Sequence, residues 1–145
     1  MNLDDKGRLA VPSRYREQLN TISNNQLILT LNPLDRCLWL YPFPEWAVVD
    51  SKLQTLPDFD KQSYRTKQMM RAYASECELD NQGRIRIPEM LREFAGLKKR
   101  VVLLGQGNKF EIWDEAVWSR EREEWLQQLD EKPSEPSELL RSLSL

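Results

Sequence analysis

Two short clusters in this sequence hold side chains suited to binding an anion. Asp4, Lys6, Gly7 and Arg8 form the first, and Asp80, Gln82, Gly83 and Arg84 form the second, each in the order Asp-x-x-Gly-Arg. The guanidinium of Arg8 or Arg84 is a planar fork of N–H donors, matched to a phosphate or to the acceptor edge of a base. It could equally brace its own turn by pairing with Asp4 or Asp80, and the pattern alone leaves both readings open. The aspartates read as structural, because a carboxylate repels phosphate and readily accepts hydrogen bonds from turn N–H groups. Gly7 and Gly83 supply the positive φ that such a turn needs. Lys6, Arg14 and Arg16 add charge beside the first turn, with an ordinary solvated surface as the plain alternative. Arg86 alternates with Ile85 and Ile87 along a strand, so it projects outward and offers one more phosphate contact.

Other chemistries find little support. Histidine is absent, which removes imidazole from any catalytic or metal proposal. Cys37 and Cys77 are isolated. They are expected to be reduced, half-buried residues of a cytosolic protein, too few for a thiolate zinc site. A carboxylate metal cluster of Asp4, Asp5 and Asp80 would suit hydrolysis, but each has a basic neighbour and no nucleophile motif accompanies them. No metal, cofactor, catalytic residue or small-molecule substrate is therefore expected. No run approaches the roughly 18–20 apolar residues of a membrane span.

The two clusters are copies. Residues 3–17 and 79–93 align at a constant offset of 76, sharing Leu, Asp, Gly, Arg, Pro, Arg and Glu at equivalent places. With 145 residues, only two such units fit, so the pattern is a duplicated half rather than a solenoid. The net charge of −2 hides an asymmetry. Residues 1–110 hold 17 Lys and Arg against 13 Asp and Glu, whereas residues 111–145 hold 4 against 10. The repeat-bearing part is mildly basic and the C-terminal part acidic.

The elements that must position the turns follow from pattern. Leu9-Ala10-Val11 reads as a short strand ended by Pro12, and Ser13 as the N-cap of a helix through Leu19. Residues 26–31 and 37–41 read as paired strands. Pro44 opens a helix striped by Trp46, Val49, Leu53 and Leu56. The second half repeats the order: a strand from Tyr73 to Leu79, the turn, a helix from Pro88 ending near Gly96, strands at 100–104 and 109–113, and a longer helix capped by Asp114. Trp118, Trp125 and Leu129 share one face of that last helix and are expected to fold into the core. The organisation expected is a first repeat at 1–56, a basic helical connector at 57–72, a second repeat at 73–130 and a flexible tail at 131–145. Only Met1 and Asn2 precede the first turn where a strand precedes the second, so the start is expected to be clipped.

The frame Leu-Asp-x-x-Gly-Arg-φ-x-φ-Pro (φ apolar), twice present, resembles that of the MraZ family of bacterial transcription regulators. Further segments share the resemblance: Leu-Tyr-Pro-x-Pro-Glu-Trp at 40–46, Ala-Ser-Glu-Cys at 74–77 and Asn-Lys-Phe-Glu-Ile-Trp-Asp at 108–114. The halves are similar to AbrB/SpoVT swapped-hairpin DNA-binding domains. The resemblance implies an α+β fold of two pseudo-symmetric swapped-hairpin β-barrel halves with flanking helices, assembled into a homo-oligomeric ring. It also implies binding to repeated boxes in the promoter of the division and cell-wall gene cluster, with repression there and of its own gene. The partner it implies is double-stranded DNA, and the location it implies is cytoplasmic and nucleoid-associated. The DNA-binding residues become Lys6, Arg8, Arg14, Arg16, Arg84 and Arg86, with Asp4, Gly7, Asp80 and Gly83 shaping the turns. Gln82 stands where the first turn has Lys6, so the first turn is expected to dominate. A competing reading is a protein-interaction module of antitoxin type, whose acidic C-terminus wraps a partner.

Overall fold

The computed structural model describes residues 1–132 and 135–145. Pro133 and Ser134 of the expected tail lie outside the described residues. The chain divides into two units, Met1–Glu115 and Ala116–Leu145.

In the first unit the strands are β1 (Arg8–Ala10), β2 (Gln26–Leu31), β3 (Leu38–Pro42), β4 (Ser75–Glu78), β5 (Arg84–Arg86), β6 (Val101–Gly105) and β7 (Phe110–Asp114). Between them run α1 (Ser13–Ser23), α2 (Phe43–Gln54), α3 (Lys61–Ala72) and α4 (Glu89–Ala95). The class is α+β, as expected. The strands form two antiparallel sheets: a ribbon of β1 with β5, and a five-stranded sheet in the order β4-β2-β3-β7-β6. Among the described residues neither sheet closes into a barrel.

The halves are interleaved rather than placed side by side. β1 of the first copy pairs with β5 of the second, and β3 pairs with β7 through Leu38↔Ile112, Trp39↔Glu111 and Leu40↔Phe110. Trp39 Nε1 donates to Glu111 Oε2 at 2.9 Å across that seam. The residues before each turn pair with the other elements of the fold, as the strand β4 in the second copy and as an isolated bridge in the first. Cys77 and Glu78 lie along β2, opposite Leu27 and Gln26. Asn2 bridges Arg100, and the Val101 amide donates to Met1 O at 3.0 Å.

Apolar residues on the inner faces of both sheets make one core. Leu9, Ile85, Ile87, Leu29, Leu40 and Ile112 are all fully buried. Each such side chain contributes about 1.5–3 kcal/mol relative to exposure. Cys37 is fully buried, not half-buried as expected. Both thiols are free, and burial pushes each up to about 12.

Prolines introduce the helices. Pro12, Pro42 and Pro88 occupy the cap positions of α1, α2 and α4 with ψ of 140°, 142° and 148°, and none makes a side-chain cap bond. Ser13 is therefore the first residue of α1, not its cap. The helix runs past the expected Leu19 to Ser23, because Asn24 is the first residue to turn left-handed, with φ 51°. α3 is the basic helix expected in the connector, and Asp60 caps it by accepting from Ser63 N at 3.1 Å.

The second unit holds most of α5 (Glu115–Glu131) and α6 (Glu138–Ser142). Here one expectation fails. Trp125, Leu126 and Leu129 are 58%, 40% and 43% exposed, so this part of the stripe is not folded into the core. Helical spacing showed that these residues share a face, but it carried no information on what covers that face. Within the nominal tail, Ser137 Oγ accepts from Leu140 N at 3.3 Å and starts α6.

Candidate nucleic-acid interface

Each turn is built by its aspartate. Asp4 Oδ1 accepts from the Lys6 and Arg8 amides at 2.9 and 2.8 Å, and Asp80 Oδ1 accepts from those of Gln82 and Arg84 at 2.8 and 2.9 Å. The second oxygen holds the arginine: Arg8 Nε to Asp4 Oδ2 at 2.7 Å, Arg84 Nε to Asp80 Oδ2 at 3.1 Å. Both carboxyls sit below the ordinary value of 3.8. The main cause is the Arg8 amide for Asp4 and the Arg84 amide for Asp80. The two readings left open for Arg8 and Arg84 are thus compatible. Only Nε is used in bracing, and the terminal Nη groups have no hydrogen-bond partner among the described residues. A guanidinium oriented through Nε presents those groups as a fixed pair of donors.

The turns lock each other. Val11 N donates to Gly83 O at 2.9 Å, and Ile87 N donates to Gly7 O at 2.7 Å, so each strand end is tied to the other copy's turn. Gly7 and Gly83 are buried, with φ of 78° and 73°. A Cβ on Gly83 would fall 2.2 Å from Arg16 Nε, and one on Gly7 would fall 2.9 Å from both Arg92 Nε and Ile87 O. The arginine on each copy's helix thus covers the opposite copy's glycine.

This places Arg16, one of the expected DNA contacts, under the ribbon's support. Its Nε donates to Val11 O at 2.6 Å. Its equivalent Arg92 was missed as a functional residue, although Arg16-Glu17 and Arg92-Glu93 are identical in the repeat. Arg92 Nε is buried without a hydrogen-bond partner among the described residues. Arg14 is exposed on α1, its guanidinium carbon 4.7 Å from the centre of the Tyr15 ring. Lys6 is exposed on the first turn.

The pairing of β1 with β5 collects the rest. Its register is Arg8↔Arg86, Leu9↔Ile85 and Ala10↔Arg84. Leu9 and Ile85 point into the core, so Arg8, Ala10, Arg84 and Arg86 share the outer face. Arg86 lies opposite Arg8, whereas Arg84 faces Ala10. Like charges directly opposite in a ladder destabilise it, and an anion docked over them offsets that cost. A two-stranded β-ribbon is also narrow enough to enter the major groove of B-form DNA. Among the described residues, no three His, Cys, Asp or Glu side chains converge as a metal site, and no helix is long and apolar enough to cross a membrane.

Comparison with known proteins bears on this geometry. Residues 1–69 and again residues 70–139 match the family described as MraZ protein, a description that likens it to antitoxins. The chain belongs to the MraZ family. The double match coincides with the duplication that supplies both turns of the ribbon. Relatives named transcriptional regulator MraZ extend over nearly all of it. That of Thioalkalivibrio sulfidiphilus is 50% identical over 145 residues, covering 100% of this chain and 95% of the relative. That of Methylococcus capsulatus is 53% identical over 128 residues, covering 88% and 84%. That of Coxiella burnetii is 43% identical over 143 residues, covering 99% and 94%. The MraZ family match and the paired turns together make the β1–β5 face the candidate interface.

Proposed function

We propose that this chain is a sequence-specific DNA-binding transcriptional regulator, mainly a repressor. It acts on repeated boxes in the promoter of the division and cell-wall gene cluster, its own promoter included. The observation that carries this reading is the outer face of the β1–β5 ribbon, where Arg8, Arg84 and Arg86 stand together with their terminal donors unspent by Asp4 and Asp80. The relatives' shared name, transcriptional regulator, supports it. Lys6 and Arg86 add charge at the Arg8 end, Arg14 serves the backbone beside it, and Arg16 combines any phosphate contact with holding the second turn. Asp4, Gly7, Asp80 and Gly83 keep the turns in shape. The protein works in the cytoplasm on nucleoid DNA.

The pairing of β1 with β5, and of each strand end with the other copy's turn, supports a swapped-hairpin organisation of the two halves, 1–56 and 73–130. The connector 57–72 lies between them and the tail 131–145 follows. A single ribbon face reads few base pairs, so we assign the working form to a ring-shaped homo-oligomer. Tandem boxes then gain affinity through effective concentration. No catalytic role is assigned.

A footprint on the chain's own upstream region tests this reading. Wild-type protein should protect spaced boxes, with log affinity falling against log salt by about 0.9 per phosphate neutralised. Arg8→Ala should abolish protection at physiological salt. Unchanged protection by Arg8→Ala would remove the site assignment, and absence of any protection by wild type would remove the function.

A further inference from the structure

The helix arginines cross between the copies. Arg92, on α4 of the second copy, lies against Gly7 of the first: a Cβ on that glycine would fall 2.9 Å from both its Cζ and its Nε. Arg16, on α1 of the first copy, lies against Gly83 of the second, where the same two distances are 2.5 and 2.2 Å. Each glycine immediately precedes Arg8 or Arg84. With φ of 78°, Gly7 holds a backbone shape that side-chain-bearing residues rarely adopt. Its N–H donates to Asp4 O at 3.0 Å, and its carbonyl accepts from Ile87 N at 2.7 Å. The guanidinium of Arg92 covers the face where any other residue would carry a side chain. Arg92 also lines one groove with Asp4, whose carboxylate holds Arg8.

We propose that Arg92 is a positioning residue for DNA binding by the first turn, acting through Gly7 on Arg8 and touching no DNA itself. Arg8 is held at two points, its amide and its Nε, both on Asp4. Its Nη pair keeps its aim only while the Gly7–Arg8 peptide keeps its orientation to Asp4. With the Gly7 face uncovered, the freedom of glycine returns, and the turn visits shapes in which the Nη donors miss their acceptors. Arg92 Nε is buried and makes no hydrogen bond among the described residues. What Arg92 supplies at Gly7 is therefore a flat packed surface rather than a bond through Nε. Arg16 does the same for Arg84 and adds a bond, from Nε to Val11 O at 2.6 Å. Each copy's turn is thus aimed by the other copy's helix. This role rests on the DNA-binding reading of the ribbon face.

A double-mutant cycle on the full-length chain tests it, read by fluorescence anisotropy on a duplex carrying one box, at salt low enough to measure every variant. Arg92→Ala should weaken binding about fivefold in the wild-type and Arg84→Ala backgrounds. In Arg8→Ala it should cost less than about twofold, because residues that act through one another are not additive. The salt slope in that background should also hold, whereas a phosphate contact made by Arg92 itself would still lower it by about one on removal. Amide hydrogen exchange without DNA should show the same crossing. Arg92→Ala should speed exchange at residues 4–8 and spare 80–84, and Arg16→Ala should do the reverse. Arg92→Lys keeps the charge and most of the stem but not the flat guanidinium. It should give the same pattern, and it replaces the alanine variant if circular dichroism shows that variant unfolded. Equal losses in all three backgrounds, a lower salt slope from Arg92→Ala in Arg8→Ala, or faster exchange at both turns alike would each overturn the positioning role while leaving DNA binding in place. Wild type that binds no box would overturn the role together with the DNA-binding reading beneath it.

Discussion

The two turns are built from the same bonds and end with different surroundings. In both, the aspartate accepts two backbone amides and one arginine Nε. At the first turn, Lys6 lies beside Arg8 and Arg86 lies across the ladder. At the second, Gln82 lies beside Arg84 and Ala10 lies across. Arg86 belongs to the second copy by sequence, yet antiparallel pairing delivers it to the first copy's arginine. Positive charge is thereby concentrated at one end of a ribbon whose backbone is nearly symmetric. The supports differ in the opposite sense. The second turn is covered by Arg16, whose Nε is hydrogen-bonded, and the first by Arg92, whose Nε is not. A buried donor without a partner costs about 1–3 kcal/mol. The end richer in positive charge is thus the one whose covering arginine makes no hydrogen bond through Nε among the described residues.

The largest expected difference is in DNA affinity. Removing a well-aligned arginine contact costs roughly 1–3 kcal/mol, about 5- to 150-fold. Arg8→Ala is expected near the top of that range and Arg84→Ala near the bottom, by fluorescence anisotropy on a duplex carrying one box. Equal losses would erase the proposed inequality of the turns.

Stability should separate the turns next. An alanine at Gly7 or Gly83 takes on a left-handed φ and a clash, about 1–3 kcal/mol in all. Gly7→Ala should cost more, because its Cβ meets the backbone oxygen of Ile87, whereas at Gly83 the obstacle is the Arg16 side chain. Urea denaturation of both variants measures this, and a reversed order would show that Arg16 is held more rigidly than the Ile87 backbone.

Moving one charge gives a smaller effect. Arg86→Ala should weaken DNA binding by less than tenfold and lower the salt slope by about one phosphate equivalent. Combining it with Ala10→Arg places the cation opposite Arg84, and Arg84→Ala should then become the more damaging substitution. If the ranking of Arg8 and Arg84 did not move, the cross-strand neighbour would not be the source of the difference.

The smallest effect concerns acid. Asp4 and Asp80 are depressed below 3.8 in the folded chain, so they favour the ordered turns above that pH. Their contribution is lost as pH falls through the depressed values. The amide resonances of Arg8 and Arg84 should therefore hold steady between pH 5 and 8 and shift only below about 3.8. A transition of either amide at higher pH would mean that its aspartate does not hold that turn.

Much of this was legible in the chain itself. The Asp-x-x-Gly-Arg spacing specifies a turn because an aspartate reaches amides two and four residues on, and glycine alone adopts the required φ without strain. Alternation at Arg84-Ile85-Arg86 separates core from surface, and the strands expected at 26–31 and 37–41 follow from runs of aliphatic and aromatic residues, the second running one residue further along, from Leu38 to Pro42. These are local properties, settled by atoms a few bonds apart. Pairing is not local. That β1 meets β5, that Arg86 faces Arg8, and that Arg16 and Arg92 each cover the other copy's glycine depend on how two distant segments bury Leu9 and Ile85 together. Likewise, the period of α5 showed that Trp125 and Leu129 share a face, but whether that face met the core was decided by where neighbouring elements ended. Sequence determined the two turns and their chemistry; tertiary structure decided which residues stand opposite one another, because cross-strand register is set by burial over the whole core.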